Sequence, residues 1–111
     1  MNDEAALFKA LADPTRLRLA VLLAIQGETC VCMLAEGFDE PEYKISRHLG
    51  IMRSAGIVEA RREGTWMYYK LVEPRNRLEE CLQECFRDCL ASDKAISFAV
   101  KRLERAQCAL R

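Results

Sequence analysis

Apolar residues recur every three to four positions through the first half of the chain, which is the spacing of amphipathic helices. The second such segment begins at Asp13-Pro14, where an aspartate N-cap precedes a proline at the first helical position. Gly27 closes that segment, and Gly37 is expected to end the next one. The pattern predicts four helices, over residues 3–12, 13–27, 29–35 and 41–56.

The hydrophobic period then changes from about 3.6 to about 2, the alternation of β-strands. Residues 57–61 and 66–71 are predicted strands, joined by residues 62–65 with a turn at Glu63-Gly64. Residues 76–91 and 93–109 are again helical in pattern. Two short helices followed by a hairpin are typical of a winged helix-turn-helix, whose second helix enters the DNA major groove. We predict one mainly α domain over residues 1–111 with a two-stranded β-hairpin and a DNA-reading unit at about 29–70.

Composition places this chain among folded proteins, because half of its 111 residues are hydrophobic and 31% are charged. No apolar run approaches the roughly 20 residues needed to cross a bilayer. The first four residues, Met-Asn-Asp-Glu, lack the basic start of a signal peptide, so a cytoplasmic location is expected. In that compartment six cysteines favour metal binding or redox chemistry over a disulfide framework.

The formal net charge of zero conceals an uneven distribution. Residues 1–40 carry three basic and seven acidic side chains, a net of −4. Residues 41–70 carry six basic and three acidic side chains, a net of +3. A polyanion is therefore expected to meet the middle third, although such a charge also occurs on ordinary solvated surfaces.

The helix predicted at 41–56 separates an apolar face from a polar one. The expected inward residues are Ile45, Leu49, Ile51 and Met52. The polar face and the hairpin supply candidate DNA contacts, namely Tyr43, Lys44, Ser46, Arg47, His48, Arg61 and Arg62. The alternative is an amphipathic helix with solvated charges, and His48 is more often a structural residue than a ligand.

Two groups of cysteines are candidate soft-ion ligands. On a regular helix Cys30 and Cys32 would point about 200° apart, so joint chelation requires a distorted helix start. Cys81, Cys85 and Cys89 form one helical stripe, in which neighbouring thiols can meet without unwinding. The alternatives are a buried apolar role for Cys32 and a helix–helix interface for the stripe. Cys108 is either idle or completes a site.

No arrangement of residues indicates an enzyme. The spacing from Cys81 to Arg87 matches the C-x5-R loop of phosphatase-like enzymes. Such loops hold an oxyanion with backbone N–H groups and usually need glycine, whereas residues 82–86 contain none, include a glutamate and are helical in pattern.

Three segments in order, LFKALADPTRLRLAVLL, ETCVCMLAEGF and PEYKISRHLGIMRSAGIVEARREGTWMYYKL, resemble the ArsR/SmtB metalloregulators, especially arsenical-resistance repressors. The resemblance covers about residues 5–73. It implies a homodimeric winged-helix repressor, with dimerisation helices at about 3–12 and 76–109. It also implies double-stranded operator DNA as the partner, no required cofactor, and release when trivalent arsenic or antimony, As(III) or Sb(III), binds cysteine thiolates.

The family's ELCVCDLC box corresponds to residues 29–35, and Cys30 and Cys32 match its first two thiols. Ala35 stands where the third thiol is found, so the site is two-coordinate or takes a donor from the cysteines at 81, 85, 89 or 108. A complete sensor among those later cysteines is the other arrangement. The sequence leaves three alternatives: a cadmium/lead sensor, a thiol redox switch, and a thiol metal-buffering module without DNA binding. It also does not distinguish inorganic from methylated arsenic as the inducer.

Overall fold

Helices predominate in the computed structural model, which describes residues 1–109, with side chains described to residue 106. The elements, in chain order, are α1 (Asn2–Leu11), α2 (Pro14–Gln26), β1 (Thr29–Cys30), α3 (Val31–Phe38), α4 (Glu42–Ser54), β2 (Val58–Glu63), β3 (Trp66–Leu71), α5 (Arg77–Asp88) and α6 (Lys94–Ala109). No helix within this range is long and apolar enough to cross a membrane.

The α2 helix forms the centre of the core. Its N-terminus is capped as predicted, because the Asp13 carboxylate accepts a hydrogen bond from the Arg16 backbone N–H at 3.0 Å. Leu19 and Leu22 are fully buried, since α2 is covered by α1, α4, α5 and α6. The prediction of a buried second helix is confirmed.

The sheet has three antiparallel strands in the order β1-β3-β2, so the predicted two-stranded hairpin gains a third strand. Thr29 and Cys30, predicted as the start of a helix, are extended and pair with Tyr69 and Tyr68. Two residues are too few to show a strand period, and their conformation comes from pairing with a strand some 40 positions later.

Two glycines behave differently from the sequence prediction. Gly37 lies inside α3, where a Cβ atom would be 3.5 Å from the Ala99 carbonyl oxygen of α6; it permits close packing and does not end the helix. The hairpin turn contains only Gly64 and Thr65, because Glu63 already pairs with Trp66. Gly64 has a φ of 63°, a left-handed conformation that glycine adopts without strain.

The C-terminal helices pack on the N-terminal half. Asn76 caps α5 by accepting a hydrogen bond from the Glu79 N–H at 2.9 Å, and Phe86 is its buried residue. Ile96, Ala99 and Leu103 of α6 are fully or almost fully buried. This arrangement leaves α4 and the β2–β3 hairpin, the wing, at the surface of the domain.

Candidate nucleic-acid interface and thiol site

The outer face of α4 carries three of the seven predicted DNA contacts without any involvement in the core. Tyr43, Ser46 and Arg47 are exposed, and Tyr43 is 74% accessible. On the opposite face Ile45, Leu49 and Met52 are fully buried, as predicted. The predicted inward position of Ile51 is wrong, because its side chain is 43% exposed while Leu49 and Met52 on either side of it face the core.

Lys44 and His48 have partners within the protein. The Lys44 ammonium lies 3.1 Å from the Glu40 carboxylate, at a half-exposed position. The His48 side chain is only 12% exposed, and its Nδ1 lies 3.3 Å from Nη1 of Arg16 and 3.9 Å from the Asp13 carboxylate. These contacts join α4 to the start of α2 and favour a structural role for His48 over the predicted DNA contact.

The environment of His48 favours the neutral imidazole. A guanidinium has only donors, so its hydrogen bond to Nδ1 requires an unprotonated acceptor there. Burial lowers the pKa of His48 below 6.5, and the charges of Arg16, Arg47 and Lys44 reinforce this against the opposite effect of Asp13.

The free energy of unfolding is therefore expected to fall as the pH is lowered below about 6.5. Because folding lowers the pKa of His48, its contribution is complete above the unfolded value and is lost as the pH falls through the folded value. Urea denaturation at pH 7.5 and 5.5 should show a smaller loss in the His48→Gln variant than in the wild type. Equal losses would contradict this role. The pKa values of Asp13 and Glu79 are also lowered, but these carboxyl groups change the free energy of unfolding only below about pH 4.5.

Of the two DNA contacts predicted on the wing, Arg61 already binds carboxylates within the protein. Its guanidinium binds both carboxylate oxygens of Glu28, at 2.6 and 3.3 Å, and a Glu63 oxygen at 2.7 Å. It also lies over the Tyr68 ring, 4.7 Å from the ring centre. Arg62 is exposed and forms no ion pair with any side chain that the structure describes, which leaves it available to a phosphate.

The thiols of Cys30 and Cys32 converge at the junction of β1 and α3. Cys30 is the N-cap of α3 with extended backbone angles (φ −77°, ψ 154°), whereas Cys32 lies in the first helical turn. Because the backbone conformation changes between them, the two side chains do not point in opposite directions as they would on a regular helix. Their Sγ atoms are 2.7 Å apart. This is the irregular helix start that chelation by both thiols requires.

Both thiols are shielded from solvent, Cys30 being 8% exposed and Cys32 half-buried. Burial raises the pKa of Cys32 to about 11, and the hydrogen bond with Cys30 and the charge of Glu42 act in the same direction. The Cys32 thiol is therefore protonated at neutral pH. Ala35, at the position of the family's third thiol, is buried and offers no donor.

The cysteines of α5 form a separate group. Cys81 and Cys89 are exposed and Cys85 is half-buried, so the predicted alternative of a stripe packed with Leu82 and Phe86 does not hold within one protomer. The Cys89 N–H donates to the Cys85 carbonyl at 2.8 Å, which keeps the two thiols one helical turn apart. The hydrogen bond between the Cys85 and Cys89 side chains stabilises the protonated Cys85 thiol and raises its pKa.

The structure does not bring the two groups of cysteines together. Among the residues it describes, no three His, Cys, Asp or Glu side chains are placed to hold one metal ion. The Cys108 side chain lies outside the described residues.

Sequence reasoning missed Glu28, whose carboxylate binds Arg61 from 33 positions away. No local pattern could have indicated that pairing.

Comparison with known proteins agrees with this geometry. The family model described as "Bacterial regulatory protein, arsR family" matches residues 13–60. An uncharacterized HTH-type transcriptional regulator of Methanocaldococcus jannaschii is 49% identical over 71 residues, which cover 64% of this chain and 80% of that protein. The arsenical resistance operon repressor of Escherichia coli is 48% identical over 65 residues, 59% of this chain and 56% of the repressor.

A solved structure extends the similarity beyond the matched segment. The homodimeric winged helix-turn-helix DNA-binding domain of a possible ArsR-family regulator from Mycobacterium bovis superimposes with a TM-score of 0.66. It is 35% identical, and the match covers 84% of this chain and 86% of that domain. These relatives are transcriptional regulators and not enzymes. The chain belongs to the ArsR family of winged-helix transcriptional regulators.

Proposed function

We propose that the protein is a cytoplasmic, dimeric repressor that releases its operator when As(III) or Sb(III) binds Cys30 and Cys32. The observation that carries this proposal is the 2.7 Å separation of the two thiols at the junction of β1 and α3. That junction belongs both to the helix-turn-helix, through α3, and to the wing sheet, through β1. A ligand there can bind two conformations of the DNA-binding unit with different affinity. This is the condition for coupling between ligand binding and DNA binding.

DNA binding is supported by the exposed outer face of α4. Tyr43, Ser46 and Arg47 offer a ring, a hydroxyl and a guanidinium at the N-terminal half of the helix, the part that usually meets base edges. Arg62 on the wing is the proposed phosphate contact, whereas Lys44, His48 and Arg61 act mainly through their intramolecular contacts. Two copies of α4 in a dimer would read an inverted repeat.

The proposed dimer uses α1 together with the C-terminal helices. Phe8 of α1 is 49% exposed and Phe98 of α6 is 64% exposed, although side chains of this size are usually buried. A second copy that covers these faces would remove that apolar area from water.

The chemistry of the thiol pair suits a trivalent metalloid. Arsenous acid, As(OH)₃, and two thiols form two As–S bonds and release two water molecules, so no net proton is exchanged. The third arsenic valence can keep a hydroxyl or carry an organic group, which makes a monosubstituted arsenical an equally suitable inducer. The raised pKa of Cys32 lowers the fraction of its reactive thiolate, which counts against a redox switch that begins at this residue.

Arsenite and cadmium are expected to differ in the pH dependence of their binding. Arsenite affinity should stay nearly constant between pH 6 and pH 8, since protonated thiols exchange for water. Cd²⁺ must displace two thiol protons, so its affinity should rise about 100-fold per pH unit. Calorimetric titrations in buffers of different ionisation enthalpy would count the protons. Proton release with arsenite would contradict the proposed chemistry.

The function is tested by anisotropy of a fluorescent fragment of the protein's own promoter under reducing conditions. We expect tight binding that weakens steeply with salt, because phosphate contacts release counterions. Arsenite should then weaken binding by about 10- to 100-fold. Weak, salt-insensitive binding would instead favour a thiol module that buffers metal without contacting DNA.

A second candidate inducer site is the Cys85/Cys89 pair, with Cys81 one turn earlier. It is supported by the helical spacing, which places the two thiols one turn apart. Cys81 and Cys89 are about 12 Å apart along the axis, so one ion can bind only two of the three thiols. This site lies on α5, outside the DNA-binding unit, and for that reason we place it second.

A further inference from the structure

The wing is joined to the thiol site through one cross-strand row of the sheet. Cys30 of β1 pairs with Tyr68 of β3, and Tyr68 pairs on its other side with Arg61 of β2. Directly paired residues of antiparallel strands project to the same face, where their side chains interact. The Cys30 thiol, the Tyr68 ring and the Arg61 guanidinium therefore occupy three neighbouring positions on one face.

Glu28 connects the two ends of this row through a contact with Arg61. It lies two residues before Cys30, and its carboxylate holds Arg61 in a two-point contact at 2.6 and 3.3 Å. A bidentate pair of this kind fixes orientation as well as distance. Arg61 in turn stacks on Tyr68 at 4.7 Å and binds Glu63, the last residue of β2.

The exposure of these groups argues against a role mainly in stability. The side chains of Arg61 and Glu28 are 49% and 31% exposed, and ion pairs at such positions contribute little to folding. What the contacts do provide is a connection between the segment leading into β1 and the outer strand of the wing. By contrast, the Glu59–Lys70 ion pair, at 3.4 Å, joins only β2 and β3.

We propose that Arg61 is a positioning residue, which transmits ligand binding at Cys30 and Cys32 to the wing. A ligand held by both sulfur atoms must move them apart from their present 2.7 Å, because two bonds of about 2.3 Å to one ion place the sulfurs roughly 3.4 to 3.8 Å apart, and this displaces the Cys30 side chain from its place beside Tyr68. Tyr68, Arg61 and Glu63 then move with β1 because Glu28 ties them to it. This inference rests on the proposed function, since it specifies how the same thiol site acts on DNA binding.

The chain carries its own reporter for this motion. Trp66, its one tryptophan, is the partner of Glu63 at the tip of the wing and is 52% exposed. It lies two residues before Tyr68 and therefore on the same face of β3. Its fluorescence is expected to change when arsenite binds the wild-type protein in the absence of DNA.

The test compares arsenite titrations of the wild type, Glu28→Gln, Arg61→Gln, Arg61→Lys and the control Glu59→Gln. Trp66 emission is followed by fluorescence and arsenite binding by mass spectrometry. We expect arsenite to bind all five proteins, with loss of the Trp66 response in Glu28→Gln and Arg61→Gln. Arg61→Lys, which retains the charge, should recover part of the response, and Glu59→Gln should keep all of it.

The two readouts separate the two proposals. A full Trp66 response in Glu28→Gln and Arg61→Gln, with arsenite bound, would overturn the role of Arg61 and leave the thiol sensor intact. Failure of arsenite to bind the wild type would overturn the proposed function itself. Loss of the response in Glu59→Gln as well would show a general effect of wing charges, and it too would overturn the specific role of Arg61.

Discussion

The Cys30→Ser/Cys32→Ser variant is expected to remain on operator DNA at arsenite concentrations that release the wild-type protein. Serine keeps the size and the local hydrogen bonding of cysteine but cannot form stable bonds to a soft metalloid. The two side chains lie at the start of α3 and do not belong to the outer face of α4. Operator affinity without arsenite should therefore change little, while the 10- to 100-fold weakening expected of a coupled ligand disappears.

The matched control for this experiment is Cys85→Ser/Cys89→Ser, which removes a thiol pair of helical spacing from α5. Both double variants and the wild type would be titrated with arsenite, antimonite, methylarsenite, cadmium and zinc by operator anisotropy. Release of the Cys30/Cys32 variant together with retention of the Cys85/Cys89 variant would place the sensor on α5. Release by an oxidant but by no ion would replace the metalloid sensor with a redox switch.

Arg47→Ala is expected to lower operator affinity by about 10- to 100-fold, the cost of losing one good contact to a base edge. Arg47 is the exposed cation in the middle of α4 that has no ion pair with any side chain the structure describes. Arg53→Ala is the control, because Arg53 is also exposed but lies in the last turn of the same helix, away from the N-terminal half that we propose contacts DNA. Anisotropy with the operator and with a scrambled duplex would measure both variants.

The pattern of the loss also identifies what Arg47 contacts. If it binds a base, the variant should lose its preference for the operator over the scrambled duplex. If it binds a phosphate, both duplexes should bind more weakly and the salt dependence should fall by about one unit. A variant with wild-type affinity, or a larger loss in Arg53→Ala, would contradict the proposed role of the α4 outer face.

The parts of the structure that could be predicted from the sequence are those set by local chemistry. The Asp13-Pro14 cap, the buried α2 and the change to a strand period each depend on residues within a few positions of one another. The irregular start of α3 was expected only on the condition that both thiols bind one ion, since the sequence otherwise predicted Thr29 and Cys30 as the start of a helix. These features sufficed for the order of the helices and the hairpin but not for β1, whereas the family was indicated by the resemblance of three sequence segments.

What could not be predicted depends on contacts between distant segments. β1 exists because Thr29 and Cys30 meet β3, and Arg61 is held by Glu28 from the opposite edge of the sheet. His48 points toward the core because its Nδ1 contacts Arg16 and Asp13 at the start of α2. Each of these residues looks like a free polar group in the sequence, and only the fold shows which of them already has a partner.

Native mass spectrometry of the operator complex at increasing arsenite tests the central claim most directly, because it counts arsenic and detects DNA on the same molecules. If binding at Cys30 and Cys32 opposes DNA binding, the dimers that have left the operator should carry arsenic and those that remain should carry none. Dimers with arsenic on both thiol pairs that still hold operator DNA would contradict that coupling.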